Sequence, residues 1–345
     1  MKAKIICMIV TVSMLGAKST SSLSKRSGWE TYKGEYTLDS SYNGSQIAEH
    51  MNKTEIVGQT DRVPHRPAAE LRKQPFRNEL FHEVLSTTYV ASASPLNKRS
   101  EWKKYFDNYK AVGTIYIVDE RPEGGNFVYN YDRAVRRFTP ASTFKIPHAL
   151  FVLDAGIVKN EFQVFPWDGI ERSVGVEKYD AVWNSSQTLS SSMRYSVVWL
   201  YQQFAQELSS RKEMDYMSRS GYGNVVVGED IEQFWLDGSL EISALEQVAF
   251  LQKLYRNQLP FAIEHQRLVK DIMITEAGSD YKIRSKTGWG TPEDKDGVGW
   301  YVGWVERDDG AIFFAANIEM PNGQSDLSKR TSIVKDILRD IDALN

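Results

Sequence analysis

The chain has 345 residues, of which 41% are hydrophobic, and a formal net charge of −3. This length is sufficient for one large domain or for two lobes around a sizeable core. The small negative charge and the lack of a basic block argue against nucleic acid as a partner.

The first segment, residues 1–17, is predicted to be a secretory signal peptide. Lys2 and Lys4 precede an apolar run that ends at Ala17, and this run is too short to span a bilayer comfortably. The alternative is a short buried segment at the N-terminus. The only cysteine, Cys7, lies in this run, so the processed protein would have no thiol for catalysis, disulfides or metal binding. Export predicts a periplasmic protein with no stable membrane association once the signal is removed.

The second segment, residues 18–98, is polar, rich in Ser, Thr and Asn, and without a sustained period. It is interpreted as a partly disordered N-terminal extension, although residues 66–85 have a pattern compatible with one helix. Its role stays open between a tether, a disordered arm and a start codon assigned too far upstream. The remainder, residues 99–345, is predicted to be the catalytic domain.

The catalytic domain begins with a predicted hairpin and a helix. Residues 111–120 and 126–132 are β-rich, and the segment Arg-Pro-Glu-Gly-Gly between them favours a turn. The next segment is expected to form a helix that starts at Ser142 and stops at Gly156.

Helices are expected in the middle of the domain, with strands again near its end. Residues 243–258 have a clear amphipathic pattern. The later predicted elements are strands at 281–288, 299–310 and 311–320, followed by an amphipathic helix at 325–344. The order predicts an α/β (α+β) fold, in which an antiparallel sheet built from both termini is flanked by helices and lies beside an all-helical lobe.

Ser142 and Lys145 are a candidate nucleophile and base. Residues three apart share one helical face, and a helix start favours the developing negative charge of an alkoxide or an oxyanion. Bringing a lysine from its usual pKa of about 10.4 to about 7 requires roughly 4–5 kcal/mol, which only a buried, apolar site could supply. The same spacing recurs at Ser100 and Lys103, and the alternative is a lysine that reaches solvent while its stem covers the core.

Three further motifs follow in order. They are Ser-Val-Val at 196–198 in the helical middle, Gly-Tyr-Gly-Asn at 221–224 in a turn, and Lys-Thr-Gly-Trp-Gly at 286–290 at the end of a strand. Each alone has an ordinary structural explanation. A strand-borne Lys-Thr-Gly can offer an ammonium, a hydroxyl and an unhindered backbone edge to an anionic substrate, and the ordered set is specific.

From about residue 101 to the end, the sequence resembles the class D serine β-lactamases, the oxacillinase type. The resemblance rests on Ser-Thr-Phe-Lys at 142–145, Ser-Val-Val, Tyr-Gly-Asn, Phe-Trp-Leu at 234–236, Lys-Thr-Gly and Gly-Trp-Tyr-Val-Gly-Trp-Val-Glu at 299–306. Valine at the third position of Ser-Val-Val distinguishes class D from class A, which carries asparagine there and a separate glutamate base. His148 departs from the asparagine common in the family, and a structural role is expected for it.

This resemblance implies the catalytic residues. Ser142 would be the acylated nucleophile, and Lys145 would react with CO2 to give N6-carboxylysine, the general base. Ser196, helped by Lys286, would relay a proton to the leaving β-lactam nitrogen. Trp235 would donate its indole N–H to the carbamate, unless it is only a core aromatic residue.

It also implies residues that bind the substrate. These are Val198, Leu236, Thr287, Gly288, Trp289 and Arg330. Val198 and Leu236 would cover the carbamate, and the backbone N–H groups of Ser142 and Trp289 would form the oxyanion hole. Thr287 and Arg330 would hold the substrate carboxylate, with Lys329 or a purely solvating role for the arginine as alternatives.

The predicted function is hydrolysis of penicillin-type β-lactams, giving antibiotic resistance. The scattered histidines indicate no metal site, and no cofactor is expected beyond CO2 or bicarbonate for the lysine. The expected partners are small β-lactams, and a homodimer stays open. The alternatives are a penicillin sensor that acylates without efficient turnover and a D-Ala-D-Ala peptidase; four ordered motifs argue against a purely structural protein.

Overall fold

The computed structural model describes residues 95–174, 177–290 and 297–344. The predicted signal peptide (1–17), the predicted helix at 66–85 and the predicted extension as far as residue 94 lie outside the described residues.

A seven-stranded sheet forms one half of the described structure. Its strands are β1 (Leu96–Lys98), β2 (Gly113–Asp119), β3 (Gly125–Tyr129), β4 (Ile274–Ala277), β5 (Lys282–Gly290), β6 (Val298–Arg307) and β7 (Gly310–Glu319). The order across the sheet is β1-β3-β2-β7-β6-β5-β4. Strands β2 and β7 are antiparallel neighbours, so the start and the end of the domain meet in the centre of the sheet. The predicted sheet from both termini is therefore confirmed, as is the hairpin β2–β3, and β6 and β7 form a second hairpin.

The sheet differs from the prediction at its two edges. Strand β1 pairs with β3 in parallel, which makes the sheet mixed rather than wholly antiparallel. This strand comes from residues that the sequence assigned to the N-terminal extension. Strands β1 and β4 were not predicted because they have three and four residues, too short for an alternating pattern to develop.

Helices surround the sheet and build a second lobe. Within the described residues the α-helices are α1 (Lys103–Asn108), α2 (Tyr131–Val135), α3 (Lys145–Asp154), α4 (Glu177–Trp183), α5 (Leu189–Arg194), α6 (Val198–Leu208), α7 (Ser210–Ser220), α8 (Ala244–Tyr255), α9 (Ile263–Ile272) and α10 (Leu327–Asp340). Helix α8 falls inside the amphipathic stretch predicted at 243–258. It starts at a capping box, in which Ser243 and Glu246 bond each other's backbone N–H groups. None of these helices is both long enough and apolar enough to cross a membrane.

Helices α8 and α10 cover opposite faces of the sheet. Side chains alternate between faces along a strand, so positions 299 and 304 of β6 face opposite ways. The ring of Trp304 lies 6.0 Å from that of Tyr255 in α8, whereas a Cβ atom at Gly299 would lie 2.7 Å from Cδ of Arg330 in α10. The core of the sheet is therefore buried on both sides.

Helix α3 is the centre of the helical lobe. Its residues 145–153 are all buried, and it contacts α5, α6, α7 and α9. A helix that is covered on every side can hold a polar side chain away from water. Lys145, at the first position of α3, is held in this way.

Candidate active site

Ser142 lies on a tight turn rather than on the α-helix itself. The segment Ala141–Phe144 is a 3-10 turn, and the α-helix starts only at Lys145. Ala141 has a φ of +48°, a left-handed conformation that a residue with a Cβ atom adopts at a cost. The turn is held by the Ala141 N–H, which donates to the Trp235 carbonyl at 2.9 Å. The prediction placed Ser142 at the start of the α-helix. In the structure Ser142 belongs to a 3-10 turn that precedes this helix.

Lys145 faces Ser142 inside the protein. Its Nζ lies 3.3 Å from Ser142 Oγ, and the two residues are 1% and 0% exposed. The same Nζ lies over the face of Tyr201, 4.9 Å from the ring centroid. The alternative of a lysine that reaches solvent is thus excluded by its burial. The nucleophile and the amine are placed together, as the spacing predicted.

Lys286 and Ser196 form a second buried pair. Lys286 lies on β5 and donates through Nζ to Ser196 Oγ and, at 3.0 Å, to the Thr287 carbonyl. Ser196 has a φ of +56° and joins α5 to α6, so it is not helical. The prediction set Ser-Val-Val within the helical middle, and in the structure only Val198 is in a helix, as the first residue of α6.

Gly288, the glycine of Lys-Thr-Gly, lets β5 approach the turn that carries Ser142. A Cβ atom at Gly288 would lie 2.9 Å from the Pro140 carbonyl and 3.3 Å from the Thr143 nitrogen. Any larger residue would push the strand away from the turn. The close packing of β5 therefore brings the two motifs side by side.

Arg330 reaches the same strand from α10. Its guanidinium donates through Nη1 to the Gly288 carbonyl and, through Nε at 2.9 Å, to the Leu327 carbonyl. Its neighbour Lys329 is paired with Asp326 at 2.7 Å. Of the two basic residues that the sequence left as candidates, Arg330 is the one that contacts Lys-Thr-Gly.

Trp235 packs against the residue that precedes the lysine. Its indole stacks on Phe144 at 5.7 Å and 23°. Its Nε1 is buried and has no hydrogen-bond partner among the described residues. Val198 is buried and Leu236 is half-buried, and both belong to the hydrophobic packing of the domain.

The Tyr-Gly-Asn motif holds the Trp235 segment in place. Asn224 donates through Nδ2 to the Ser239 carbonyl at 2.9 Å and accepts from the Glu241 N–H at 3.1 Å. Gly223 has a φ of +61°, and a Cβ atom there would lie 2.6 Å from the Glu241 carbonyl. The motif is thus a turn that fits only glycine at its centre, and it closes the loop that carries Trp235.

Two further polar atoms of the Lys-Thr-Gly-Trp segment are buried. Thr287 Oγ1 and Trp289 Nε1 have no hydrogen-bond partner within the described residues. Buried polar atoms are rarely left unsatisfied in a folded protein. They are available to a ligand that enters beside β5.

Sequence reasoning missed several residues of the site. Tyr201 lies three positions after Val198, on the same face of α6, and that spacing could have revealed it. Gln247, which donates to Thr143 Oγ1 at 2.9 Å, and Glu213, which contacts His148, are far away in sequence and left no local signal.

The site combines a serine with buried basic side chains. Lys145, Lys286 and Arg330 are each at most 4% exposed. The guanidinium of Arg330 favours an anionic substrate. In the described parts of the chain, no group of three or more His, Cys, Asp and Glu side chains could hold a metal ion. The arrangement is suited to nucleophilic catalysis at a carbonyl next to a carboxylate.

Known proteins share this architecture and sequence. The family described as the penicillin-binding protein transpeptidase domain matches residues 82–339. β-Lactamase OXA-20 of Pseudomonas aeruginosa is 49% identical over 267 residues, which are 77% of this chain and 96% of that relative. β-Lactamase OXA-2 of Salmonella typhimurium is 47% identical over 266 residues, 77% of this chain and 93% of the relative.

A solved structure agrees with these relatives. FUS-1 (OXA-85), a class D β-lactamase from Fusobacterium nucleatum subsp. polymorphum, has a TM-score of 0.67 and 35% sequence identity, over 72% of this chain and 100% of that chain. The residues matched by the transpeptidase-domain family, 82–339, include the elements that carry the site. The chain therefore belongs to the class D β-lactamases, the family that the sequence motifs predicted.

Proposed function

We propose that this protein hydrolyses the amide bond of β-lactam antibiotics through an acyl-enzyme on Ser142, with Lys145 as the site of the general base. The observation that carries the proposal is the 3.3 Å contact between Lys145 Nζ and Ser142 Oγ in a place that water does not reach. Family membership supports the reaction class.

Lys145 is suited to react with CO2. Burial disfavours the charged form of an amine, and only the neutral amine can attack CO2, forming an N–C bond and releasing one proton. When present, the resulting carbamate supplies a proton acceptor next to the Ser142 hydroxyl. The unpartnered Nε1 of Trp235 fits this modification, because a buried N–H donor is stabilised by a nearby anion.

Acylation would start with attack of Ser142 Oγ on the lactam carbonyl carbon as the hydroxyl proton leaves toward Lys145. The backbone N–H groups of Ser142 and Trp289 are proposed to stabilise the oxyanion. When the C–N bond breaks, the nitrogen needs a proton. Ser196, which accepts a hydrogen bond from Lys286, is proposed to give its hydroxyl proton to the nitrogen and to take one from Lys286.

In deacylation, water would be the nucleophile and Ser142 Oγ the leaving group. Water attacks the acyl carbonyl, loses a proton on the Lys145 side, and the Ser142 Oγ leaves with a proton restored. The apolar side chains of Val198 and Leu236 are proposed to limit the water that reaches Lys145. The net reaction consumes one water and opens the ring to an amine and a carboxylate.

Substrate binding would depend on the carboxylate that these antibiotics carry. Thr287 directly precedes Gly288 in β5, and the Arg330 guanidinium donates to the Gly288 carbonyl. A hydroxyl and a guanidinium form strong hydrogen bonds to a carboxylate. These contacts would orient the lactam carbonyl toward Ser142.

The test is nitrocefin hydrolysis by the purified protein in CO2-depleted buffer, with and without added bicarbonate. We expect bicarbonate to raise the rate of the unaltered protein, and Lys145→Ala to lose at least about 100-fold in kcat, the usual contribution of a general base. Lys103→Ala is the matched control, since Lys103 has the same spacing from Ser100 but is 64% exposed, and its rate should not change.

Other outcomes would contradict the proposal. Unchanged hydrolysis by Lys145→Ala would remove the lysine from the mechanism. A burst of one equivalent without turnover would favour a penicillin sensor, and release of D-alanine from a stem-peptide mimic without nitrocefin hydrolysis would favour a peptidase.

Export to the periplasm is proposed from the N-terminal sequence. The apolar run before residue 17, preceded by Lys2 and Lys4, has the pattern of a cleavable signal. Mass spectrometry of the secreted protein should find an N-terminus beyond this run.

A further inference from the structure

A buried histidine and glutamate lie one helical turn behind Lys145, and the mechanism above does not use them. His148 Nε2 lies 2.7 Å from Glu213 Oε1, and both side chains are 0% exposed. His148 is on α3 and Glu213 on α7. Two ionisable groups this deep in a protein are costly unless each compensates the other.

The pair has no other polar contact in the described structure. His148 Nδ1 and the second carboxylate oxygen of Glu213 lack hydrogen-bond partners among the described residues. The short Nε2–Oε1 contact also departs from linear hydrogen-bond geometry, since neither atom has an aligned partner. Among the described residues, the contact with His148 is therefore the one polar compensation for the Glu213 carboxylate.

The His148 ring contacts the side chains that surround the lysine. It stacks on Phe144 at 5.1 Å and lies 5.5 Å from Tyr201 and 5.9 Å from Trp235. Tyr201 is the ring beneath Lys145 Nζ. The ionisable groups that face His148 are thus Glu213 and Tyr201, with Lys145 one turn away.

Tyr201 does not compensate the carboxylate. Burial raises the pKa of the Tyr201 phenol, so this group stays uncharged at neutral pH. If His148 were absent, Glu213 would be left as a buried carboxylate behind the lysine. A negative charge there would stabilise the ammonium form of Lys145 and oppose its reaction with CO2.

We propose that His148 and Glu213 are positioning residues that keep the lysine pocket electrically neutral, so that Lys145 binds and retains CO2. This inference rests on the proposed function of Lys145. The chemical step is the one already given: the neutral amine forms an N–C bond to CO2 and releases one proton. The pair would act on this equilibrium without touching the antibiotic.

The experiment measures how much bicarbonate each variant needs. Nitrocefin turnover is followed in CO2-depleted buffer with increasing bicarbonate, for the full chain and for His148→Asn, Glu213→Gln and the double variant. For His148→Asn we expect the half-saturating bicarbonate concentration to rise about tenfold, as for one uncompensated charge within about 10 Å. At saturating bicarbonate its kcat and KM should return to within about threefold of the unaltered protein.

The double variant separates charge from packing. Removing the carboxylate together with the histidine should bring the half-saturating concentration back toward that of the unaltered protein, and Glu213→Gln alone should not raise it. Glu246→Gln is the control, because it also alters a carboxylate paired with a basic side chain but lies on α8, and its bicarbonate dependence should not change. Bound carbamate is measured in parallel by ¹³C NMR after addition of labelled bicarbonate.

The outcomes distinguish a failure of this inference from a failure of the proposed function on which it rests. No carbamate signal in the unaltered protein would overturn the proposed role of Lys145. A signal in the unaltered protein with the same bicarbonate dependence in His148→Asn would overturn only the role of the pair. An equal increase in His148→Asn and the double variant would also overturn it, because packing alone would then explain the loss. If His148→Asn does not fold, the double variant and Glu213→Gln are compared with the unaltered protein instead. The charge argument is overturned if both variants need a higher bicarbonate concentration. It is supported if both need about the same concentration as the unaltered protein.

Discussion

At the scale of single residues, burial is what makes Lys145 different from the other lysines that follow a serine by three positions. Lys103 has the same spacing from Ser100, yet its side chain is 64% exposed and pairs with Asp107 at 2.6 Å. Lys145 is 1% exposed and faces Ser142. Because an exposed amine keeps its ordinary protonation, spacing is insufficient for catalysis and the apolar environment is required.

Replacing Ser196 should slow proton delivery to the leaving nitrogen. Ser196→Ala removes the hydroxyl that accepts from Lys286, and we expect a loss of about 100-fold or more in the acylation rate, measured by stopped flow with a penicillin. Ser220→Ala is the control, since Ser220 is also buried but its hydroxyl donates to the Tyr216 and Met217 carbonyls of its own helix. Equal rates for the two variants would contradict a relay through Ser196.

Replacing Arg330 should weaken binding of the substrate carboxylate. We expect Arg330→Gln to raise KM about 10-fold to 100-fold for nitrocefin, because a charge-assisted hydrogen bond is lost. The same variant should have a much smaller effect on the methyl ester of nitrocefin, which has no carboxylate. If KM rises equally for both compounds, the arginine acts through the Gly288 backbone rather than through the substrate.

The sequence predicted some residues of the site and missed others for a physical reason. Ser142, Lys145 and Lys286 were predicted from ordered motifs. Glu213 and Gln247 were not, because their contacts with His148 and Thr143 exist only after helices distant in sequence have packed. Side chains placed by tertiary packing leave no local pattern.

At the scale of elements, the strands were predicted well and the two serine-bearing segments less well. Strands β2, β3, β5, β6 and β7 coincide with the segments predicted to be β-rich. Ala141 and Ser196 instead adopt left-handed backbone conformations, which neighbouring structure must impose on residues other than glycine. Local propensity favours an ordinary helix at both places, and the departures coincide with the site.

Helix α8 is held at its start by an ion pair whose strength depends on pH. Burial raises the pKa of the Glu246 carboxyl, but the Arg137 guanidinium and the bonds from Ser243 outweigh burial and leave that pKa below its usual value. A carboxyl whose pKa is lowered by folding contributes stability above its unfolded pKa and loses this contribution as pH falls through the folded value.

Glu246→Gln should therefore destabilise the protein near neutral pH and much less in acid. We expect the free energy of unfolding to fall by about 1–2 kcal/mol at pH 7. The difference from the unaltered protein should shrink as pH falls below about 4, where the carboxyl itself is protonated. Urea denaturation at several pH values measures this, and a difference independent of pH would show that the ion pair is not its cause.

At the scale of the whole molecule, the sheet brings distant parts of the chain to one place. Ser142 lies between the first strands and the helical lobe, whereas Lys286 and Arg330 come from the last part of the domain. Because β2 pairs with β7 and β5 packs on the turn at Pro140, residues separated by more than a hundred positions in sequence lie close together. The order of the predicted strands and helices indicated this sheet. It did not indicate that α6, which carries Tyr201, would lie against Lys145.

The N-terminal boundary of the catalytic domain can be tested from the edge of the sheet. Strand β1 pairs with β3 from Leu96 to Lys98, and the Arg99 N–H donates to the Val128 carbonyl at 2.8 Å. The relative OXA-20 matches over 96% of its length within 77% of this chain, so a family domain does not need a long stretch before this edge. The residues before 95 should therefore be dispensable for catalysis, whereas β1 should not be dispensable for stability.

We expect a chain that starts at Pro95 to hydrolyse nitrocefin with kcat and KM within about twofold of the full chain, because it keeps the sheet complete. A chain that starts at Ser100 loses β1 and leaves backbone groups of β3 without partners, each worth about 1 kcal/mol. Its midpoint in urea should fall by the equivalent of roughly 2–4 kcal/mol, given the lost pairs. Equal stability of the two chains would show that β1 adds nothing to the sheet, and loss of activity on removing residues before 95 would give the extension a part in catalysis.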